Sequence, residues 1–523
     1  MLCRGLAGDR RSEDVEEKDM SGRIANSKLR GRIMTADEAA SQINPGDQLG
    51  CSGFTGAGYP KAVPEALARR IKAAHDRGDE FKVNVMTGAS TAPEFDGALA
   101  EVNGINWRMP FQSDPTLRKR INAGDTYFTD LHLSDPGTLT DQGFFGPTDV
   151  AVVEAVRIRE DGSIIPSSSV GCSVNYLRNA KKVIIEVNSW QDENLEGMHD
   201  IWSYGQLPNR QPIPITDPGD RIGKTYIDLD IDKVVAVVET DGPDRNSPFK
   251  PIDDDSKRIA DYLLDFLDGE VKAGRLNRDL LPIQSGVGNV ANAVLAGLGD
   301  GPYRQITSYT EVIQDGMVDL LDQGTMAVAS ATAFSLSPEY AHRVNESAAD
   351  YAKKIVLRPQ EITNNAEVIR RLGVIACNGM IEADIYGNVN STHITGSTMM
   401  NGIGGSGDFA RNAFVSCFVS PSRAKGGAIS AIVPMVSHVD HAEHDVDVLI
   451  TEQGLADLRG LAPRQRSRKI IENCAHPDYR ELLLEYVERA EKVSSGLHTP
   501  HDLREALSFH TRFLETGSMM PEK

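Results

Sequence analysis

From Lys28 onward, short apolar runs alternate with stretches whose apolar residues recur at helical spacing. Residues 47–51 and 81–86 read as strands, with a glycine-rich loop at 53–60 and an apolar-faced helix at 63–75 between them. Strands at 150–156 and 183–187 continue this half. After a stretch rich in Pro, Gly and Asp at 206–223, the pattern resumes from Tyr226 with strands at 234–238, 280–283, 305–310, 429–433 and 446–450 and helices at 256–273, 289–298 and 479–490. Strand, glycine loop, alanine-rich helix and strand occur near residue 50 and again near residue 283. The pattern predicts an α/β fold of two similar domains, residues 23–225 and 226–523, with largely parallel sheets flanked by helices. Ligands then belong at the carboxyl ends of the strands.

Residues 9–19 carry six acids and three bases with almost no apolar periodicity, so residues 1–22 read as a disordered tail, in which Met20 offers a second translation start. A chain of 523 residues exceeds one ordinary core. Its 40% hydrophobic and 25% charged residues are those of a globular protein. A net charge of −20 argues against nucleic acid or an anionic membrane as partner. The six cysteines form no C-x-x-C pair and no zinc spacing, which fits reduced thiols in the cytoplasm. No apolar run reaches the ~18 residues of a membrane helix, and the N-terminal stretch is too acidic for a signal peptide.

Candidate chemistry concentrates at residues 284–316. A strand enters the loop Gly286-x-Gly288-x-x-Ala291, a helix follows, and the next strand ends on Glu311, 20 residues past Ala291. Three accounts fit the pattern. In a dinucleotide site the acid binds a ribose hydroxyl; in an acyl-transfer site Glu311 is a nucleophile and the loop N–H groups hold an oxyanion; or the glycines make a plain turn beside a solvated acid. A second formal G-x-G-x-x-G, at Gly402, Gly404 and Gly407, lacks a preceding apolar strand and reads as a loop, one whose N–H groups could complete an oxyanion hole. Ile222-Gly-Lys-Thr has Pro218 where a phosphate loop needs its first glycine, and His438, His441 and His444 drift around a helix rather than converging on a metal. No G-x-S-x-G elbow is present.

Several long motifs occur in order: Ser-Gly-Phe-Thr-Gly-Ala-Gly-Tyr-Pro-Lys at 52–61, Gln-Ser-Gly-Val-Gly-Asn-Val-Ala-Asn-Ala-Val at 284–294, Glu-Val-Ile-Gln-Asp-Gly at 311–316, and further blocks at 378–390, 401–411 and 451–460. Over residues 23–520 the chain resembles the acetyl-CoA hydrolase/transferase family of class I CoA-transferases. The resemblance implies that Glu311 is the catalytic glutamate, that Val287 and Gly405 supply oxyanion-hole N–H groups, and that Asn364 orients the acyl carbonyl and incoming carboxylate. It further implies that Gly286, Val287, Gly288, Asn289, Val290, Ile381, Asn401, Gly405 and Lys425 bind coenzyme A, with Arg245 and Glu452 as polar residues nearby. The implied activity moves CoA between succinyl-CoA and acetate through acyl-glutamyl anhydride and glutamyl-CoA thioester intermediates. CoA is then part of substrate and covalent intermediate, no cofactor is tightly bound, no metal is needed, the partners are acyl-CoA and small carboxylates, and the enzyme is a cytoplasmic homodimer.

The chemistry of the residues agrees: reversible exchange of CoA needs the acyl-group energy kept in a covalent species, which an ionised glutamate can form. Two rivals share these residues. One is an acetyl-CoA hydrolase, in which water opens the same thioester, or a propionyl-CoA:succinate transferase; the other is a nucleotide-binding dehydrogenase or sensor, for which no hydride-transfer acid or base is visible.

Overall fold

The computed structural model describes residues 22–245, 251–495 and 497–521; the expected tail, apart from Gly22, lies outside them. Two eight-stranded sheets dominate, and they share one plan. In the first, Gln48–Cys51 is central, with Val83–Met86, Ile105–Met109 and Tyr127–Phe128 stepping outward on one side and Thr148–Ile158, Ala180–Asn188 and Val234–Thr240 on the other. These pairings are all parallel, and only Ile164–Pro166 adds antiparallel to Thr148–Ile158. In the second, Ile283–Ser285 is central, flanked by Ile306–Tyr309, Met326–Ala331 and Ile355–Leu357 on one side and Ile375–Gly379, Val415–Val419 and Val448–Thr451 on the other, all parallel, with Gly454–Asp457 antiparallel at the edge. Each sheet therefore has a switch point beside its first strand, the place where loops diverge and leave a crevice. In the second sheet Gly286–Gly288 leaves that strand.

Helix Val63–His75 shows how sequence and sheet cooperate. Val63, Leu67 and Ile71 share one buried face, and Pro64 suits the first turn. No side chain of the helix caps its N-terminus. The buried Glu186 carboxylate does so from strand Ala180–Asn188, accepting from the N–H groups of Ala62 at 3.0 Å and Val63 at 2.6 Å.

Three expectations need correction. The strand expected at 234–238 in the second half belongs to the first sheet, where Val234–Thr240 pairs in parallel with Ala180–Asn188. The stretch 206–223 is accordingly no border between the sheets. Ile213 and Ile215 are buried against Ile369 and Leu372, and Arg371 Nη1 holds both of their carbonyls at 2.6 and 2.7 Å. Pro, Gly and Asp there mark irregular backbone, not a gap between cores. The strand expected at 429–433 is two fragments, Ile429–Ser430 and Ile432–Val433, which pair elsewhere and not in the main sheet.

One hydrophobic cluster runs through both halves, from Val153, Ile185 and Val237 to Leu295, Met317 and Ile375, so the sheets are packed as a unit. A second cluster joins residues 380–520, with helices Pro463–Cys474, Pro477–Val493 and Ser508–Thr516 over the far end. No helix among the described residues is long and apolar enough to cross a membrane.

Candidate active site

Between the halves lies a cavity of about 620 Å³. The first half contributes Thr55, Thr91, Phe111, Arg118 and Arg245; the second contributes Gly286, Val287, Gly288, Glu311, Asn401 and Gly405. Glu311 sits where strand Ile306–Tyr309 ends and Val312–Gln314 begins, and its carbonyl accepts the Thr332 N–H at 3.0 Å. Its backbone is fixed, and its half-buried side chain points into the cavity.

The surroundings of that carboxylate set its charge. Desolvation, and then repulsion from Asp408, push the Glu311 carboxyl up to about 8, although the Asn364 side-chain amide and the Gly405 N–H both favour its ionised form. Gly405 has to be glycine: a Cβ there would overlap Glu311 Oε2 and lie 2.6 Å from Asn364 Nδ2. The loop carrying Gly405 is braced from the first half, where Asp130 accepts the Ile403 N–H at 2.9 Å and Phe111 packs on Gly402 and Gly404. Burial in turn holds the Asp130 carboxyl up at about 7.

Opposite stands the glycine loop. Gly286 donates to the Cys377 carbonyl at 3.0 Å and accepts from Gln314 Nε2 at 2.7 Å, which ties the loop to two strands. Gly288 takes a φ of +136° as it caps helix Asn289–Asp300, a conformation that favours glycine. Neither the Val287 nor the Gly288 N–H has a hydrogen-bond partner among the described residues. A helix N-terminus with free donors at a cavity wall attracts negative charge.

Of the residues expected at the site, Gly286, Val287, Gly288, Glu311, Asn401, Gly405 and Arg245 line this cavity, and the fully buried Asn364 reaches it through Glu311. Asn289, Val290, Ile381, Lys425 and Glu452 do not line it. Val290 packs on the core, Ile381 donates to the Asn390 carbonyl, and the Lys425 ammonium stands 5.0 Å over the Phe513 ring. Glu452 accepts the Ser422 N–H at 2.6 Å and the Ser422 hydroxyl. Arg245 is exposed, 3.4 Å from Glu94, but its neighbour Asp244 is anchored by Gly58, Lys61 and Gln191 at 3.0 to 3.1 Å.

Arg118, Asp408 and Ser134 are side chains at or behind the cavity that sequence reading does not single out. Arg118 lines the cavity from helix Pro115–Asn122 and donates to the Met400 carbonyl across the cleft at 2.5 Å. Only Asp408 left a signal, as the acid directly after Gly407 in the second glycine motif. Ile222-Gly-Lys-Thr is no phosphate cradle: Asp200 occupies the N–H groups of Ile222 and Gly223 at 2.8 and 2.6 Å. Among the described residues no three metal-binding side chains converge, and His441 is buried against Phe418.

A nucleophilic carboxylate must be ionised. The initial rate of any covalent step at Glu311 is expected to rise about tenfold per pH unit up to about 8 and then level off. A stopped-flow pH profile with a saturating thioester measures this, and a plateau reached by pH 6 would contradict it.

Comparison with known proteins places the chain. The acetyl-CoA hydrolase/transferase N-terminal domain model matches residues 18–239, and the corresponding C-terminal domain model matches residues 343–487. The chain is 50% identical to a succinyl-CoA:acetate CoA-transferase of Clostridium kluyveri, over 95% of this chain and 92% of that one. It is 46% identical to a propanoyl-CoA:succinate CoA transferase of Escherichia coli, over 93% and 98%. It is 44% identical to an acetyl-CoA hydrolase of Candida glabrata, over 97% and 98%. In fold it is like RipA from Yersinia pestis, with a TM-score of 0.68 over 89% of this chain and 98% of that one at 23% identity.

Proposed function

This chain belongs to the acetyl-CoA hydrolase/transferase family, and from that premise we propose that it transfers CoA between succinyl-CoA and acetate with Glu311 as the covalent nucleophile. One observation carries the reading: the Glu311 carboxylate at the switch point of the second sheet faces the Gly405 N–H on one loop, with the Val287 N–H, unpartnered among the described residues, on another.

In the proposed reaction a Glu311 carboxylate oxygen attacks the thioester carbonyl carbon. The tetrahedral oxyanion collapses, the C–S bond breaks, and CoA leaves as thiolate from a mixed succinyl-glutamyl anhydride. The thiolate then attacks the Glu311 Cδ, succinate leaves, and a glutamyl-CoA thioester remains. Acetate attacks that thioester to form an acetyl-glutamyl anhydride, and the returning thiolate takes the acetyl group and restores the Glu311 carboxylate. Every step passes through an oxyanion, for which the Val287 and Gly405 N–H groups would each supply roughly 3–4 kcal/mol. Raised basicity suits Glu311 to attack, because a poorly solvated carboxylate gains by forming a bond.

Arg118 and Arg245 give the cavity cationic wall residues that suit anionic substrates, in a chain of net charge −20. A cytoplasmic homodimer is part of the same proposal and rests on the family resemblance. The dinucleotide account loses ground because the acid that would hold a ribose faces Asn364 and Gly405 instead. Hydrolysis is the second reading, favoured by the 44% identity to a relative named as a hydrolase.

The test is twofold. Incubation with acyl-CoA alone should add the mass of CoA at Glu311, and initial rates with an acyl-CoA panel, with and without acetate or succinate, separate the readings. Free CoA released as fast without acceptor as with it overturns the transferase. Asn364→Ala is expected to slow transfer at least tenfold, ~1.4 kcal/mol. Hydrolysis needs no carboxylate acceptor and suffers less, so the hydrolysis-to-transfer ratio should rise; equal losses would assign Asn364 to general stabilisation.

A further inference from the structure

Behind the Glu311 carboxylate lies a second, buried one. Asp408 stands on the short helix Ser406–Ala410 and its side chain is occupied on every side. Oδ1 accepts the Ser134 hydroxyl at 2.7 Å; Oδ2 accepts the Ser134 N–H at 3.0 Å and Asn364 Nδ2 at 3.1 Å. Asn364 Oδ1 accepts the Thr363 hydroxyl at 2.9 Å. The Asn364 amide is thus committed at both ends, and its NH2 group faces two carboxylates, Asp408 and Glu311.

A buried carboxamide is nearly symmetric in shape, so its partners choose which end is oxygen. With Asp408 charged, turning Asn364 over would set Oδ1 against a carboxylate and take from Asp408 Oδ2 the donor it now has, a buried mismatch. We propose that Asp408 is a positioning residue: held by Ser134 of the first half, it fixes Asn364 with its NH2 toward Glu311 and stands as a like charge behind the nucleophile. The proposal rests on Glu311 being that nucleophile. Around Asp408 the facing groups are Ser134, Asn364 and Glu311, together with the His132 ring packed on Gly407, whose Nδ1 has no partner among the described residues. The like charge acts on Glu311 in the expected sense, since Asp408 repulsion is the second cause, after desolvation, that raises the Glu311 carboxyl.

The experiment measures formation of the CoA adduct from acyl-CoA alone, by rapid quench and mass spectrometry, across pH 5 to 10, with melting curves for every variant. Asp408→Asn keeps the shape but frees Asn364 to turn and removes the like charge. Its plateau rate should fall at least tenfold, and its pH midpoint should move down by at least about half a unit. A wild-type rate, or a slower rate with an unmoved midpoint, overturns the proposal and leaves Asp408 a structural residue. Ser134→Ala keeps the charge and loosens the hold, so adduct formation should slow about threefold with the midpoint unmoved. In an Asn364→Ala background the same change should have no effect, because its target is gone. Equal slowing in both backgrounds overturns the proposal even if Asp408→Asn does not fold. Failure of the nucleophile reading is separate: wild type would then show no adduct at Glu311.

Discussion

Glu311→Ala is expected to reduce transfer at least about ten-thousand-fold: the other carboxylate lining the cavity, Asp114, is engaged in capping helix Pro115–Asn122 through the Thr116 and Leu117 N–H groups, and partial chemistry does not survive loss of its nucleophile. The variant should still bind acyl-CoA, since the loop donors and the cavity arginines remain, but no CoA should stay attached after denaturation. Turnover within tenfold of wild type, or an adduct on another residue, would remove Glu311 from the mechanism. The fold should survive the change. Sequence alone makes Glu311 a strand-end carboxylate facing solvent, with little weight in stability; the structure instead surrounds it and holds its proton up to about 8, against 4.5 when unperturbed. Between those values the folded chain binds more protons than the unfolded one, so this group's contribution to stability falls as pH rises through the window. Glu311→Gln should therefore melt higher than wild type by a margin that grows from pH 5 to pH 9. A margin that shrinks over that range would mean the carboxylate is not desolvated.

Gly405→Ala should be the next most damaging change. An added Cβ would overlap Glu311 Oε2 and crowd Asn364 Nδ2; Asn364 is tied to Thr363 and Asp408, so relief comes from swinging the Glu311 carboxylate into the cavity, away from the Gly405 N–H. The φ of Gly405 is −87°, so the backbone itself tolerates alanine and the damage is confined to contact. Displacing one oxyanion donor typically costs about a hundred- to a thousand-fold in kcat. Melting temperature should move little, while the rates of adduct formation and of transfer fall together. Near-normal kcat with a raised KM would show that Gly405 shapes binding and not the transition state.

The glycine motifs illustrate how far pattern reading reaches. Gly286-x-Gly288 is legible because a strand, a sharp turn and a helix start within a dozen residues, and its φ of +136° at Gly288 is a local demand. Gly402-x-Gly404-x-x-Gly407 reads as a plain loop because most of its reason is not local. Gly402 is pressed by Asp130 and Phe111, Gly405 by Glu311, and Gly407 by His132, all far away in sequence, and only Gly404, with a φ of +63°, answers to a local demand. Residues 206–223 mislead for a related cause: composition reports that the backbone is irregular and says nothing about what Ile213 and Ile215 pack against. Val234–Thr240 follows that stretch, yet its hydrogen bonds lie with Ala180–Asn188.

By itself the sequence determined the alternating α/β order, the free N–H groups after Ile283–Ser285 and a carboxylate at the end of the next strand, because strand ends and helix starts answer to a few neighbouring residues. Only the tertiary structure decided what that carboxylate is. Asp408 and Asn364 come from elsewhere in the same half, and Ser134, 274 residues away from Asp408, comes from the other. Removal from water and proximity to a second buried charge raise the basicity of Glu311. Both are properties of a filled volume and not of a stretch of chain.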